Sequence, residues 1–269
     1  MSVDLSVITA CYNHGIFLQE MCQSVARSLE NISYEHIIVN DGSTDAETLR
    51  QLALLEQKGL RVLHQENRGL AAARNAGIQQ ARGRYLLPMD CDNLLQPGWV
   101  SGAIDFLDQH PRCGTVYTDA VFIGEKKGHW KVGAFNLQRL MLSNYIDACA
   151  LIRKTCWEHI GGYDESRVIM MWSDWDFWLR LAFEGYRFEY RELAGFSYRV
   201  AAGSMVHGAD RNQYQEACRY FYTKHAALLG DIHLFTRLNG VKIFLAKYTP
   251  QLFRLLIRLG VIKNPYSLW

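Results

Sequence analysis

Strand-like and helical segments alternate through the first ninety residues of the chain, and this alternation restricts the possible folds more than any other feature. Such alternation predicts an α/β fold with a mostly parallel sheet and helices on both faces. Ligands of these sheets bind beyond the carboxyl ends of the strands, so we expect the functional site there. The predicted strands are 5–10, 36–39, 60–64 and 85–89, and the predicted helices are 16–29, 47–58 and 70–81.

Polar residues follow three of these strands. Tyr12 and Asn13 follow the first strand, the polar turn 40–45 follows the second, and Asp90 and Asp92 end the fourth. Two carboxylates at the end of a buried strand are costly unless a positive group meets them. A divalent cation that bridges a diphosphate suits carboxylate and phosphate oxygens. The alternative is a polar turn without a ligand, in which Asp and Asn are common.

Two common nucleotide motifs are missing from the sequence. No G-x-G-x-x-G follows the first strand, which disfavours a dinucleotide dehydrogenase, and no G-x-x-x-x-G-K-[ST] occurs, which disfavours a P-loop enzyme. The formal net charge of +2 gives no indication of nucleic-acid binding, and we expect none.

A second group of acidic residues opens a later helix at 173–176, whose apolar face carries Trp175 and Trp178. One interpretation is structural: Ser173 caps the helix, Asp176 completes a capping box, and the aspartates complement the helix dipole. The other interpretation follows from the methionine- and aromatic-rich loop before the helix, residues 170–172, which would wall a sugar site with one carboxylate aimed into it.

Cysteine usage and hydropathy indicate a reducing compartment. The seven cysteines show no C-x-x-C spacing, which favours free thiols and a cytoplasmic location. The first residues lack the basic and apolar regions of a signal peptide. No apolar run reaches the roughly 18–20 residues that span a bilayer.

The last forty residues differ in composition from the rest. From residue 232 onward there are six Lys or Arg residues and no acidic residue. We predict a catalytic domain over 1–230, with a nucleotide-binding half (1–110) and an acceptor-binding half (111–230), and a helical extension over 231–269. The extension has the composition of an amphipathic helix at a membrane surface, here the inner face. The alternative is a terminal helix packed on the body.

Six segments together resemble glycosyltransferase family 2, the inverting sugar-nucleotide transferases with a GT-A-type fold. They occur in the family's order over about 200 residues. The segments are SVITACYN (6–13), IIVNDGSTD (37–45), ENRGLAAARNAG (66–77), MDCD (89–92), GGYDE (161–165) and WSDWDFWLR (172–180).

The resemblance implies a donor site at the predicted sheet edge. Tyr12 would pack against the base, Asp41 would hydrogen-bond it, which favours UDP- or dTDP-sugars, and Asp90 would meet the ribose. An aromatic face suits a flat base. The donor-binding residues implied are Ala10, Tyr12, Asn13, Asp41, Arg74, Asp90 and Cys91.

The resemblance also implies a metal, a base and an acceptor site. Asp92 would bind Mg²⁺ or Mn²⁺, and Asp174 would be the general base. Trp172 and Asp176 would contact the acceptor. The sequence lacks the family's usual histidine in the segment 198–204, and His207 is a candidate replacement as metal or phosphate ligand, the alternative being a structural or solvated side chain.

The function implied is transfer of a sugar from a nucleoside diphosphate to an acceptor hydroxyl, on a glycan or a lipid-linked acceptor, in polysaccharide or cell-surface glycan synthesis. Ser173 stands where the family commonly has Glu, which keeps a catalytically silent sugar-nucleotide-binding module open as an alternative. A nucleotidyltransferase is a further alternative, although the sequence after the first strand matches that class poorly.

Overall fold

The computed structural model describes residues 3–201 and 211–226, apart from the side chains of Leu142 and Arg211. Chain contacts divide the protein into two units, 1–213 and 214–269. The candidate site lies in the first unit, and the predicted extension 231–269 lies outside the described residues.

The first half of the chain is the predicted alternation of strands and helices. The strands are β1 (Leu5–Cys11), β2 (Tyr34–Asp41), β3 (Arg61–Gln65) and β4 (Tyr85–Pro88). The helices are α1 (Leu18–Ser28), α2 (Ala46–Gln57) and α3 (Leu70–Gln79), and a 3₁₀ turn (Gly15–Phe17) precedes α1.

The four strands pair in parallel in the order β3-β2-β1-β4. Every residue of β1 and β4 is buried, as expected for central strands covered on both faces. Gly77 of α3 faces this sheet, where an added Cβ would lie 2.6 Å from Ile8 Cγ2, so glycine permits the close approach of helix and sheet. The predicted α/β fold with a parallel sheet is confirmed for this half.

The second half extends the same sheet with mixed pairing. Its strands are β5 (Leu94–Leu95), β6 (Cys113–Gly124), β7 (Gly128–Trp130), β8 (Leu151–Arg153) and β9 (Arg187–Val200). Its helices are α4 (Val100–Gln109), α5 (Leu137–Leu142), α6 (Lys154–His159), α7 (Ser173–Phe183) and, after the gap, α8 (Arg211–Lys224), with a 3₁₀ helix at Arg167–Trp172.

Within the described residues the sheet continues in the order β4-β8-β6-β9-β5. Strand β8 is antiparallel to both β4 and β6, whereas β6 and β9 are parallel neighbours. The carboxyl ends of β6 and β9 therefore point the same way as those of β1 and β4. Polar residues that follow or end these strands meet at one edge of the sheet. Over residues 3–201 and 211–226, no helix is long and apolar enough to span a bilayer.

Candidate active site

The ends of β1 and β2 are tied together by Asn13. Its Oδ1 accepts the backbone N–H groups of Thr44 (2.8 Å) and Asp45 (3.2 Å), and its own N–H donates to Ser43 Oγ at 3.1 Å. Asn13 adopts φ = 52°, a left-handed conformation that Asn tolerates better than most residues. The side chain predicted to bind donor therefore holds the loop after β2. Beside it, Ala10 is buried and Tyr12 is 49% exposed, free to meet a flat ligand.

Asp41, at the end of β2, is only 3% exposed and binds the start of α3. Its Oδ1 accepts the N–H of Arg68 at 2.9 Å and Gln65 Nε2 at 2.7 Å, and its Oδ2 accepts the N–H of Gly69 at 2.8 Å. These backbone donors precede a helix that has no side-chain cap of its own. Three protein bonds leave this carboxylate with little remaining capacity for a nucleobase.

Arg74 and Asp90 form a buried ion pair below the cleft. Arg74 Nη2 lies 2.6 Å from Asp90 Oδ1, and the side chain of Arg74 is 4% exposed against 33% for Asp90. The guanidinium also lies over the ring of Tyr163, 5.7 Å from its centroid. Burial alone would lower the pKa of Arg74, but the carboxylates of Asp90 and Asp174 raise it. Arg74 therefore stays charged beneath the acidic residues.

Asp92 follows at the mouth of the cleft. Burial, and then the neighbouring Asp90, raise the pKa of Asp92 to about 6, against the opposing effect of Arg199. Arg199 Nε donates to the carbonyl oxygen of Asp92 at 2.9 Å, and its backbone N–H donates to Asn93 Oδ1 at 2.9 Å, so β9 holds the loop in place.

Cys91 faces the opposite way from its acidic neighbours. Its side chain is buried, and its thiol hydrogen-bonds the sulfur of Cys11, which raises the pKa of Cys91 and lowers that of Cys11. The thiol of Cys91 therefore packs between β1 and β4, and we propose no donor contact for it.

Asp174 lies in the first turn of α7 and faces the same cleft. Its Oδ2 accepts Asn144 Nδ2 at 2.9 Å, and its Oδ1 accepts the N–H of Trp175 at 2.9 Å. Burial raises the pKa of Asp174 to about 6, while the charge of Arg74 opposes the shift and that of Asp90 adds to it. The base predicted from the sequence thus shares its electrostatic surroundings with the acids at the end of β4.

The structural interpretation of this helix start is wrong about the cap, because Ser173 does not cap α7. Trp172 occupies the N-cap position, Ser173 is the first residue of α7, and no side-chain cap bond forms. Trp172 itself packs edge-on against Trp175, with ring centroids 5.7 Å apart.

Asp176, predicted to contact the acceptor, points into the core instead. It is 0% exposed, and its Oδ2 accepts Arg180 Nε at 2.8 Å. The guanidinium of Arg180 also donates to the carbonyl oxygens of Ile160 and Gly162, both at 2.6 Å. The Asp176–Arg180 pair therefore fastens α7 to the loop 160–162, and we propose no acceptor contact for Asp176.

Two cleft residues were missed by the sequence interpretation. Asp147 lies in the irregular segment before β8, and Tyr198 lies near the end of β9. Burial, followed by the charges of Asp147, Asp90, Asp92 and Asp174, raises the pKa of the Tyr198 hydroxyl. One hydroxyl thus interacts with four carboxylates, which places all of them around one cleft. An isolated aspartate in an irregular segment gives no sequence signal, whereas Tyr198-Arg199 opens the family segment in which the usual histidine is missing.

The side chains of the cleft supply only some of the ligands that a hard divalent cation needs. Asp92 and Asp90 offer carboxylate oxygens, and the two groups interact electrostatically. Within residues 3–201 and 211–226, however, no three acidic, histidine or cysteine side chains are grouped closely enough to hold an ion by themselves. An ion would therefore need ligand or water oxygens in addition to the carboxylates, which is how Mg²⁺ usually binds. His207 lies outside the described residues.

The family profile described as "Glycosyl transferase family 2" matches residues 6–161. The chain belongs to glycosyltransferase family 2. It is 30% identical over 225 residues to the uncharacterised glycosyltransferase YwdF of Bacillus subtilis, covering 78% of this chain and 81% of YwdF. It is 28% identical over 148 residues to the minor teichoic acid biosynthesis protein GgaB of the same organism, covering 53% of this chain and 16% of GgaB.

Among solved structures, residues 1–349 of Staphylococcus aureus TarS in complex with UDP-GlcNAc share the fold. The TM-score is 0.66 at 19% identity, covering 82% of this chain and 66% of that one. This likeness confirms the GT-A-type fold inferred from the sequence. The chain spans about a third or less of the length of several other curated relatives, between 27% and 32%.

Proposed function

We propose that the protein is an inverting glycosyltransferase that moves a sugar from a nucleoside diphosphate to an acceptor hydroxyl. The observation that carries the proposal is the position of Asp174, which shares one cleft with the Asp90–Arg74 pair and with Asp92. An inverting displacement needs a base on one side of the sugar and a site for the leaving diphosphate on the other. This cleft offers both.

The donor we infer is a UDP- or dTDP-sugar. The family and the UDP-GlcNAc complex of a protein with the same fold support a uridine nucleotide. The exposed ring of Tyr12 is suited to stack on the base, and Ala10 lies beside it on β1. Asp90 and the buried Arg74 would then lie toward the ribose and diphosphate. Because Asp41 already accepts three protein bonds, we infer that it shapes the base site more than it binds the base.

Asp92 is the residue we expect to hold Mg²⁺ or Mn²⁺ with the donor. When bound there, the ion would neutralise charge on the diphosphate as it leaves. Without the ion, a diphosphate would lie close to several carboxylates. We therefore expect donor binding to depend on the cation.

Asp174 would take the proton from the acceptor hydroxyl while that oxygen attacks the anomeric carbon. The bonds from Asn144 and from the backbone of Trp175 fix the orientation of its carboxylate. A pKa of about 6 keeps the group mostly ionised at neutral pH, yet basic enough to accept a proton. Since attack and departure occur on opposite sides, an α-linked donor would give a β-glycoside.

The acceptor would enter past Trp172, next to the general base Asp174. The similarity to GgaB supports a role in polysaccharide or cell-surface glycan synthesis, on a glycan or a lipid-linked acceptor. A lipid-linked acceptor would suit the predicted contact of residues 231–269 with the inner face of the membrane. Flotation of the chain with anionic liposomes, with and without these residues, tests that contact, and equal flotation of both forms would refute it.

The test of the function is a panel of nucleoside diphosphates and their sugars with Mn²⁺. We expect a rise in melting temperature with one nucleotide and its sugars, and slow release of the nucleoside diphosphate from one donor. Release of pyrophosphate from a nucleoside triphosphate would instead indicate a nucleotidyltransferase. Binding of a donor without any release, even with glycan acceptors added, would indicate a silent binding module.

A further inference from the structure

The segment from Asn144 to Cys149 crosses the acidic cleft from α7 to β4. At one end, Asn144 Nδ2 donates to Asp174 Oδ2 at 2.9 Å, and the carbonyl oxygen of Ile146 accepts Trp178 Nε1 at 3.0 Å. At the other end, Cys149 Sγ lies 3.2 Å from the sulfur of Met89, the residue that precedes Asp90. Asp147 stands between these two attachments. Its position is therefore between the candidate base and the acids at the end of β4.

Half of the Asp147 carboxylate is held by the protein. Its Oδ1 accepts the backbone N–H of Cys149 at 2.8 Å, which closes a tight turn. Its Oδ2 accepts no hydrogen bond from any residue in the described part of the chain. The side chain is partly buried, and it interacts electrostatically with Asp90, Asp174 and Arg74.

The Oδ2 atom of Asp147 remains accessible and has no protein donor among the described residues, so it is available to hydrogen-bond a ligand. Burial, and then the charge of Asp90, raise the pKa of Asp147 to about 8, while the charge of Arg74 opposes the shift.

We propose that Asp147 binds hydroxyl groups of the transferred sugar and thereby selects the donor, an inference that rests on the proposed function. In an inverting displacement the sugar lies between the base and the leaving group, and Asp147 lies between Asp174 and Asp90. A carboxyl group hydrogen-bonds sugar hydroxyls as an acceptor or, when it is protonated, as a donor, whereas in its charged form it would repel the diphosphate. A site built to bond a hydroxyl rejects an analogue that lacks it or misplaces it.

The experiment compares the affinity for a nucleotide with the affinity for its sugar. Isothermal calorimetry with Mn²⁺ measures UDP, UDP-GlcNAc, UDP-glucose and UDP-galactose binding to the full chain and to Asp147→Ala and Asp147→Asn. We expect Asp147→Ala to weaken the preferred UDP-sugar about 10- to 100-fold while UDP stays within about twofold. Asp147→Asn keeps an oxygen for the N–H of Cys149 and protects the fold, and we expect it to lose about fivefold or more.

A matched control variant is Asp164→Ala. Asp164 Oδ1 accepts the N–H of Ser166 at 2.8 Å, the same kind of turn, in the loop between α6 and the 3₁₀ helix. Its ratio of UDP-sugar to UDP affinity should equal that of the wild type. Because the ratio compares two ligands of one variant, a general loss of stability does not move it.

Two negative outcomes are distinguishable. If the wild type binds a UDP-sugar and its affinity ratio is unchanged in the folded Asp147 variants, the inference is refuted and the proposed function stands. If the wild type binds neither UDP nor any of the sugars, the uridine donor is refuted and the inference falls with it.

Discussion

The two halves of the site use their polar residues differently. In the first half, the side chains of Asn13 and Asp41 are saturated with hydrogen bonds to backbone groups of neighbouring loops. In the second half, Asp147 and Asp174 have fewer protein partners, and burial among like charges raises the pKa of each. The first set holds the loops at the edge of the sheet, and the second set is available for the proposed chemistry. Substitutions should therefore cost stability in the first half and activity in the second.

The largest effect expected is that of Asp174→Asn on turnover. Loss of the base should lower kcat about 10²- to 10⁴-fold, because Asn cannot accept the acceptor's proton. UDP affinity and melting temperature should stay close to those of the wild type. Initial rates of glycosyl transfer, together with calorimetry of UDP, check this prediction. A kcat near the wild-type value would show that Asp174 is not the general base.

In the wild type, the same group sets the pH dependence of the rate. Since the pKa of Asp174 is about 6, its ionised fraction falls as the pH drops below that value, and kcat/KM should fall with it. Asp174→Asn should lose this acid limb of the profile.

Asp41→Ala should have the next largest effect, on stability. It leaves the N–H groups of Arg68 and Gly69 without their acceptor at the start of α3, and we expect a loss of about 2–4 kcal/mol. Urea unfolding measures it. Tyr12→Ala is the contrasting variant in the same half: the exposed ring should cost little stability but weaken UDP binding. A stable Asp41→Ala protein would contradict the division between the halves.

Asn13 allows a finer test, because its side chain and its backbone can be separated. Asn13→Ala loses the bonds to Thr44 and Asp45 and keeps a Cβ at φ = 52°, whereas Asn13→Gly loses only the bonds. We expect Asn13→Gly to be the more stable of the two by about 1 kcal/mol. Equal urea midpoints for the two variants would show that the backbone conformation contributes nothing.

The last comparison is the pH dependence of stability. The carboxyl groups of Asp92, Asp147 and Asp174 have pKa values raised to between about 6 and about 8, above their unfolded values of about 4. For these three groups the folded protein keeps protons that the unfolded chain has released, so their contribution to stability decreases as the pH rises from about 4 to 8. His36 acts in the opposite sense below about pH 6.5, because burial lowers its pKa to about 4.

Melting temperatures between about pH 6.5 and 8, above the range in which His36 titrates, measure this decrease. The decline should be shallower in Asp147→Asn, which removes the group with the highest of the three pKa values. A parallel decline in both proteins would contradict the assignment to Asp147.

The sequence predicted the fold of the first half well because local patterns determine it. Parallel strands bring their carboxyl ends to one edge, so the alternation of strands and helices was enough to bring the residues after β1, β2 and β4 together. The second half depends on contacts between distant segments. Strand β9 pairs with β6 across more than seventy residues, and nothing local indicated that Tyr198 would reach the cleft.

The helix start at 173–176 shows a second limit. Two aspartates two residues apart lie about 200° apart around a helix, so one of them faces away from any cleft that the other faces. Sequence alone cannot decide between them. The packing of Arg180 against the loop 160–162 decides it, by drawing Asp176 into the core.

The pairing of β9 with β6 determines which residues of β9 face the cleft, and so affects the charge there. Successive residues of a strand point to opposite faces. Tyr198 points toward the four carboxylates, while Arg199 points toward α1, where it binds Glu20 at 2.7 Å. The register between β6 and β9 shifts between Cys113 and Thr115 and on both sides of Asp119, and these irregularities contribute to which β9 residue faces the cleft. Deleting one residue of β9 just before Tyr198 would bring a guanidinium in place of a phenol beside the acids. The length of a strand that supplies no cleft carboxylate therefore affects the charge of the cleft.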